Sequence, residues 1–207
     1  MEIYRPLFIV FEGIDGSGKS TQARRLANHL ESLSVPVLLT FEPSDGPVGQ
    51  KIRSLKTRLS PESEVELFME DRRHHVENVI LPALASGKTV ICDRYVHSSA
   101  AYQGSNGTSA DKILERNFEF APRPDLVFLI EIPVELAIGR ISKGRNSNFS
   151  VFEKLENLRQ VDSIYKSFSG NEIIRIDGTE DEESVSLKIN AILDSFIKKR
   201  KSAAKTS

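Results

Sequence analysis

Short apolar runs and longer stretches of helical period alternate along the whole chain. The runs at residues 7–11, 35–41, 89–93, 126–131 and 172–176 have the length and near-continuous hydrophobicity of strands buried on both faces of a sheet. After the first, residues 23–33 place Leu26, Ala27, Leu30 and Leu33 on one helical face. After the second, Ser44-Asp45-Gly46-Pro47 marks a turn, and Ile52 and Leu55 suggest a short helix. Ser60-Pro61-Glu62 supplies an N-cap with proline at the first helical position. It opens a long helix carrying Val65, Phe68, Met69, Val76, Val79, Ile80 and Leu84 up to Gly87, with Pro82 expected to bend or break its last turns. Residues 109–120, 133–141, 151–168 and 180–197 read as further helices. The polar, basic stretch 142–150 reads as a mobile loop, and 198–207 as a basic, disordered tail. The expected fold class is α/β: one domain over residues 1–197, a five-stranded parallel sheet flanked by helices on both faces.

The turn after the first strand changes this from a fold to a site. Gly13, Ile14, Asp15, Gly16, Ser17, Gly18, Lys19 and Ser20 form the pattern G-x-x-x-x-G-K-[ST], with Thr21 following, between a strand and a helix, as in P-loop NTPases. Glycines let the backbone close around an anion, and the helix points unpaired N–H groups at it. Lys19 is expected at the β and γ phosphates of ATP, and the Ser20 hydroxyl on Mg²⁺. Asp93 ends the third apolar run, where an acidic residue holds Mg²⁺ or its waters; the alternative role of a helix N-cap stays open for any Asp there. Ligands in such sheets bind at the carboxyl ends of the strands, which groups the phosphate loop with Glu42-Pro43 and Asp93-Arg94-Tyr95.

Composition narrows the partners. Across 207 residues, 39% hydrophobic and 28% charged, the formal net charge is −1, so no global field favours nucleic acid or an anionic membrane. Phosphate recognition has to come from local cations: Arg94, whose planar fork suits two oxygens of one phosphate, and Arg53, Arg72, Arg140, Lys143 and Arg145. The single cysteine, Cys92, lies within an apolar run and forms no internal disulfide, which fits a reducing compartment, and no apolar stretch is long enough to span a bilayer. A cytoplasmic location is expected.

Taken together, Phe11-Glu12-Gly13-x-Asp15-Gly16-x-Gly18-Lys19-Ser20-Thr21, Glu42-Pro43, Phe68-x-x-x-Arg72 and Asp93-Arg94-Tyr95-x-x-Ser98-Ser99-x-Ala101-Tyr102-Gln103-Gly104 resemble the thymidylate kinase family, over the chain to about Phe196. The resemblance implies transfer of the γ-phosphoryl group of ATP to dTMP with Mg²⁺, in a protein that usually forms homodimers. It implies that Phe68 stacks on thymine and that Arg72, one turn on, reaches a base carbonyl. It further implies that Asp15 approaches the 3′-hydroxyl and phosphate region, that Arg94 and Arg53 grip the phosphate, and that Ser99, Tyr102 and Gln103 line base and sugar. Glu42 and Pro43 fall in the same acceptor site. The stretch 142–150 corresponds to the lid over ATP. With no arginine after Asp15, a cation near the lid (Arg140, Lys143 or, first, Arg145) is expected to supply transition-state charge beside Lys19 and Arg94.

Three departures from the family pattern stand out: Phe41 in place of an arginine before Glu42-Pro43, Ser44-Asp45 in place of a glycine pair, and Ser150-Val151 in place of Asp-Arg before Phe152-Glu153. Two rival readings have other features to answer for. A deoxynucleoside kinase uses a carboxylate after the second strand, the place of Glu42, as a base on a sugar hydroxyl. A guanine-nucleotide switch protein carries Asn-Lys-x-Asp, which this chain lacks. Periodicity leaves open whether Val65, Val76 and Val79 face a core or a second copy.

Overall fold

In the computed structural model, residues 6–57, 59–142 and 151–205 are described. Five strands, β1 (Phe8–Glu12), β2 (Val37–Phe41), β3 (Thr89–Asp93), β4 (Leu126–Glu131) and β5 (Ile173–Asp177), form one sheet in the order β2-β3-β1-β4-β5. Every pairing is parallel. The expected class and strand number hold.

Alternation along β1 explains the two-sided burial. Ile9 and Phe11 face one side, where Ala23, Leu26 and Leu30 of α1 (Lys19–Ser32) and Val185, Ile189 and Leu193 of α9 (Glu182–Lys205) close over them. Phe8 and Val10 face the other, beneath Val76, Ile80, Tyr95 and Val96. A third cluster joins Leu129 of β4 to Ile14, Val65, Met69, Ala100, Val161 and Tyr165, packing α3 (Pro61–His75), α5 (Val96–Gly104) and α8 (Val151–Ser167) beside the sheet's carboxyl end. Val65 and Val76 are thus core residues of the protomer, each 2% exposed, which removes them as candidates for a dimer face. Leu33, expected on the buried face of the first helix, is 58% exposed because it lies just past that helix as its C-cap.

The long predicted helix is continuous but not uniform. Ser60 caps α3, its side chain accepting from the Ser63 N–H with Pro61 at the first position, as expected. Before Pro82 the hydrogen bonding loosens into a π segment, Val76–Ile80, followed by α4 (Leu81–Ala85). Pro82 lacks an N–H and its ring crowds the preceding turn, and a wide turn accommodates this without a break. The short helix after β2 is α2 (Pro47–Ser54), and α6 (Ala110–Phe118) and α7 (Val134–Ser142) complete the order. At the carboxyl end α9 runs on through Lys205, where the sequence suggested a disordered tail from 198; Arg200 pairs with Asp125 at 2.8 Å. No described helix is long and apolar enough to cross a membrane. The stretch 143–150, with Lys143 and Arg145, lies outside the described residues.

Ile9 is fully buried at the centre of the sheet. Ile9→Ala is expected to lower the unfolding free energy by about 2–5 kcal/mol in urea titration with an unchanged m-value.

Candidate active site

The phosphate loop is built on two backbone constraints. Gly13 has φ +137, and a Cβ there would lie 2.4 Å from the Ile130 carbonyl oxygen of β4, so only glycine fits. Gly18, the N-cap of α1, has φ +100 and faces open space. That space is where the helix directs its free N–H groups. Ser17 Oγ is buried there with no hydrogen-bond partner among the described residues, an orphan that a phosphate oxygen would satisfy.

Lys19 is 5% exposed and its Nζ donates to the Ile14 carbonyl at 2.8 Å. Burial, helped by the nearby charge of Arg94, lowers its ammonium to a pKa of about 7. Ser20 Oγ donates to Asp93 Oδ2, while Asp93 Oδ1 is buried with no partner. These oxygens of the α1 start and the β3 end suit a hard cation that takes its remaining ligands from water and phosphate. No cluster of three or more His, Cys, Asp or Glu among the described residues forms a fuller metal cage.

Directly after Asp93, Arg94 adopts φ 72, a left-handed conformation that costs a non-glycine residue about 1–3 kcal/mol. Several bonds hold it there. Its N–H donates to Phe11 O at 2.9 Å, its carbonyl accepts from Cys92 Sγ at 3.0 Å, and the next N–H, of Tyr95, donates to Glu12 Oε1 at 2.8 Å. Burial raises the Cys92 pKa, keeping it a thiol donor. The turn aims the guanidinium across the strand ends. It pairs with Asp15 and lies 5.1 Å from the Tyr102 ring centre, and Tyr102 Oη in turn accepts the Asp15 N–H at 2.9 Å. Burial alone would raise the Asp15 pKa; Arg94 and Lys19 outweigh it and hold the carboxyl below its ordinary value.

Two clefts adjoin this junction. One is lined by Gly16, Ser17, Gly18, Lys19, Ser20, Thr21 and Arg140, together with Gln22 and the Gly178, Glu180 and Glu182 region after β5 that the sequence did not single out. Arg140 bridges its walls, donating to Gly16 O at 3.3 Å and Gly178 O at 3.2 Å. The other brings together Glu42, Pro43, Phe68, Arg72, Arg94, Ser99, Tyr102 and Gln103, residues from three separate segments, with Glu64, Tyr95, Ser98, Asn106 and Asn157 added.

Arg72 is 1% exposed and heavily engaged. It donates to Glu42 Oε2 through Nε (2.9 Å) and Nη2 (2.6 Å), to Asn117 Oδ1 at 2.5 Å, to Tyr95 O at 3.1 Å and to Ser99 Oγ at 3.0 Å. Glu42 also meets His75 Nδ1 at 3.1 Å, and His75 Nε2 meets Thr40 Oγ1 at 2.7 Å. A forked, charge-assisted pair of this kind fixes both partners. Glu42 is therefore committed to holding Arg72 and is not a free base.

Arg53 lies beside the second cleft's Glu42-Pro43 wall. It donates to the Pro43 (2.5 Å) and Ser44 (2.6 Å) carbonyls, pairs with Asp45 at 3.2 Å and covers the Phe41 ring at 5.8 Å, outside the cleft lining. Phe41 and Ser44-Asp45, departures from the family pattern, are its contacts. Ser44 is itself pinned to Asp71, its N–H at 2.7 Å and its Oγ at 2.6 Å. The residues that sequence reasoning missed, Glu12, Asp71, His75 and Asn117, are all buried polar partners of residues it found. Glu12 carried a usable signal, a carboxylate ending an apolar strand, the same signal that singled out Asp93.

The model of the family described as Thymidylate kinase matches residues 11–189. This chain belongs to the thymidylate kinase family. It is 47% identical over 180 residues to the thymidylate kinase of Desulfotalea psychrophila, covering 86% of this chain and 89% of the relative. It is 38% identical over 197 residues to a probable thymidylate kinase of Archaeoglobus fulgidus, covering 95% and 100%. It is 49% identical over 164 residues to a probable thymidylate kinase of Pyrococcus abyssi, covering 75% and 78%. The family makes the protein a kinase of the P-loop class, with ATP as phosphoryl donor.

The lowered pKa of Lys19 has a measurable sign. A bound anion favours the ammonium, so binding takes up a proton wherever the free lysine is neutral, and affinity weakens as pH rises above about 7. Calorimetry of a non-hydrolysable ATP analogue in buffers of different ionisation enthalpy is expected to show more proton uptake at pH 8 by the wild type than by Lys19→Arg, which stays charged, with the excess shrinking as pH falls below about 7. Equal uptake at pH 8 would contradict this.

Proposed function

We propose that this kinase transfers the γ-phosphoryl group of Mg-ATP to dTMP, giving dTDP, with the phosphate-loop cleft taking the donor and the Phe68–Arg72 cleft the acceptor. The observation that carries the reading is the junction at Asp15: a residue of the donor's loop is held by Arg94 and Tyr102, both of which line the second cleft. Two phosphates brought to the two sides of this junction are aligned for direct transfer.

The acceptor's phosphate is largely dianionic at neutral pH, its second pKa being about 6, so no general base is required. The chain's residues then act by alignment and charge. Lys19 meets the donor's terminal phosphates, Arg94 the acceptor's phosphate, and Ser20 with Asp93 would hold Mg²⁺, which neutralises charge on the transferring phosphates. Phe68 offers its ring to thymine, Arg72 a guanidinium edge, Ser99 and Gln103 polar contacts, and Tyr102 bulk beside the sugar. Arg53 supports the loop carrying Pro43 and Ser44 beside the acceptor. Arg140 stabilises the donor's phosphates with Lys143, and Arg145 supplies charge in the transition state. The same reading has the protein in the cytoplasm as a homodimer with no nucleic-acid or membrane partner, supported by the family resemblance, the net charge of −1 and the single cysteine.

The commitment of Glu42 to Arg72 and His75 argues against the deoxynucleoside kinase alternative, which needs that carboxylate as a base. A coupled ADP-release assay with Mg-ATP is expected to show turnover with dTMP and none with thymidine; the opposite pattern overturns the reading. Arg145→Ala is expected to lower kcat by about 10²-fold or more while changing the KM for dTMP by less than about threefold, the signature of a contact made in the transition state. A raised KM with unchanged kcat would remove Arg145 from that role.

A further inference from the structure

We propose that Glu12 is the positioning residue for Arg94, turning the Ser98 hydroxyl so that it accepts from the guanidinium, and that Tyr165 of α8 shares in this control. The inference rests on Arg94 meeting the phosphate of dTMP.

Glu12 ends β1, immediately before the phosphate loop, and its side chain is entirely buried. Its carboxylate is surrounded by donors. Oε1 accepts the N–H groups of Tyr95 at 2.8 Å and Ser98 at 3.1 Å; Oε2 accepts Ser98 Oγ at 2.6 Å and Tyr165 Oη at 2.9 Å. Tyr95 is the N-cap of α5 and makes no side-chain cap bond of its own. Glu12 therefore caps α5 from another element, with a charge at the favourable end of the helix.

A neutral acceptor would cap the helix at a smaller desolvation cost, so the cap does not by itself account for a buried charge. The arrangement of hydrogens does. An ionised carboxylate has only lone pairs, so it draws both hydroxyl hydrogens toward Oε2. The Ser98 oxygen is then left to accept, and Arg94 Nη1 lies 3.4 Å from it. Arg94, one residue before Tyr95, is at φ 72 and depends on its neighbours to stay there. Tyr165 Oη also lies 2.9 Å from Ser98 Oγ, closing a triangle with Glu12 and linking α8 to the turn. In Glu12→Gln the amide oxygen must still face the two backbone N–H groups. This places an NH₂ donor where Oε2 was, which takes one Ser98 lone pair and leaves the Ser98 hydrogen without its carboxylate acceptor, free to turn toward the guanidinium.

The contact between Arg94 and a phosphate is isolated by comparing dTMP with thymidine, which lacks the phosphate. Dissociation constants for both, by calorimetry, on the wild type, Glu12→Gln, Tyr165→Phe, Arg94→Ala and the Glu12→Gln/Arg94→Ala pair give the test. The ratio of thymidine to dTMP dissociation constants is expected to fall about tenfold in Glu12→Gln and about threefold in Tyr165→Phe, with thymidine binding itself changed by less than about twofold. In the Arg94→Ala background Glu12→Gln is expected to add nothing. A lowered melting temperature with an unchanged ratio, or independent losses in the double variant, overturns the proposal. Should Glu12→Gln fail to fold, Tyr165→Phe, whose tyrosine lies outside the cleft lining, decides on the same ratio. A wild type that binds dTMP no better than thymidine, or does not phosphorylate it, fails the functional reading before any variant is compared.

Discussion

Parallel pairing of β1 with β3 sets Phe11 level with Asp93. Everything chemical in the protein depends on that register. It places the start of the phosphate loop beside the Asp93-Arg94-Tyr95 turn, lets Arg94 N–H reach Phe11 O, and brings Glu12 within reach of the first turn of α5. A slip of one residue would reverse the faces of β1 and part these groups. The register is protected because both faces of the central strands are buried, so no alternative leaves the core intact.

Around that pairing the charges are arranged in two sets, one buried and the other buried except for the half-buried Arg94. Arg72, Glu42, His75, Asn117 and Ser99 form one, beneath the cleft that Phe68 lines; Glu12, Ser98, Tyr165 and Arg94 form the other, at its boundary with the phosphate loop. Ionic groups so buried contribute little net stability over apolar packing, but losing one partner leaves a costly orphan. Their effect is geometric. They hold two guanidinium groups, on α3 and after β3, at fixed positions around one cavity. The phosphate loop is organised differently, with Ser17 Oγ and Asp93 Oδ1 left without protein partners and the Lys19 ammonium partly destabilised by burial. One side of the junction is satisfied within the protein; the other leaves these polar atoms open.

The sequence made the phosphate loop legible because its chemistry is local: the glycines, Lys19 and Ser20 act within one turn and carry a fixed spacing. The same holds for Phe68 and Arg72, which share a helix face by periodicity. Arg53 was only half legible. Its proximity to Glu42-Pro43 followed from the chain, but its engagement with the Pro43 and Ser44 carbonyls depended on how α2 packs back on the loop. The long helix showed the complementary limit: Pro82 predicted a disturbance, and the packing of Val76 and Ile80 against the sheet turned it into a π segment within a continuous helix.

By itself the sequence determined the class of fold, the five strands and the phosphate cradle, since apolar period and short motifs act over a few neighbouring positions, and the family resemblance its motifs carry implied most of the residues that face the second cleft. The tertiary structure decided what each charge is for. Glu42 could have been a base until Arg72 and His75, some thirty residues away, were found holding it. Val65 and Val76 could have faced a partner until the core claimed them. Glu12 was one more acidic residue until its four donors came from α5 and α8. Side-chain partnership across long separations is set by packing, and one-dimensional spacing carries no record of it.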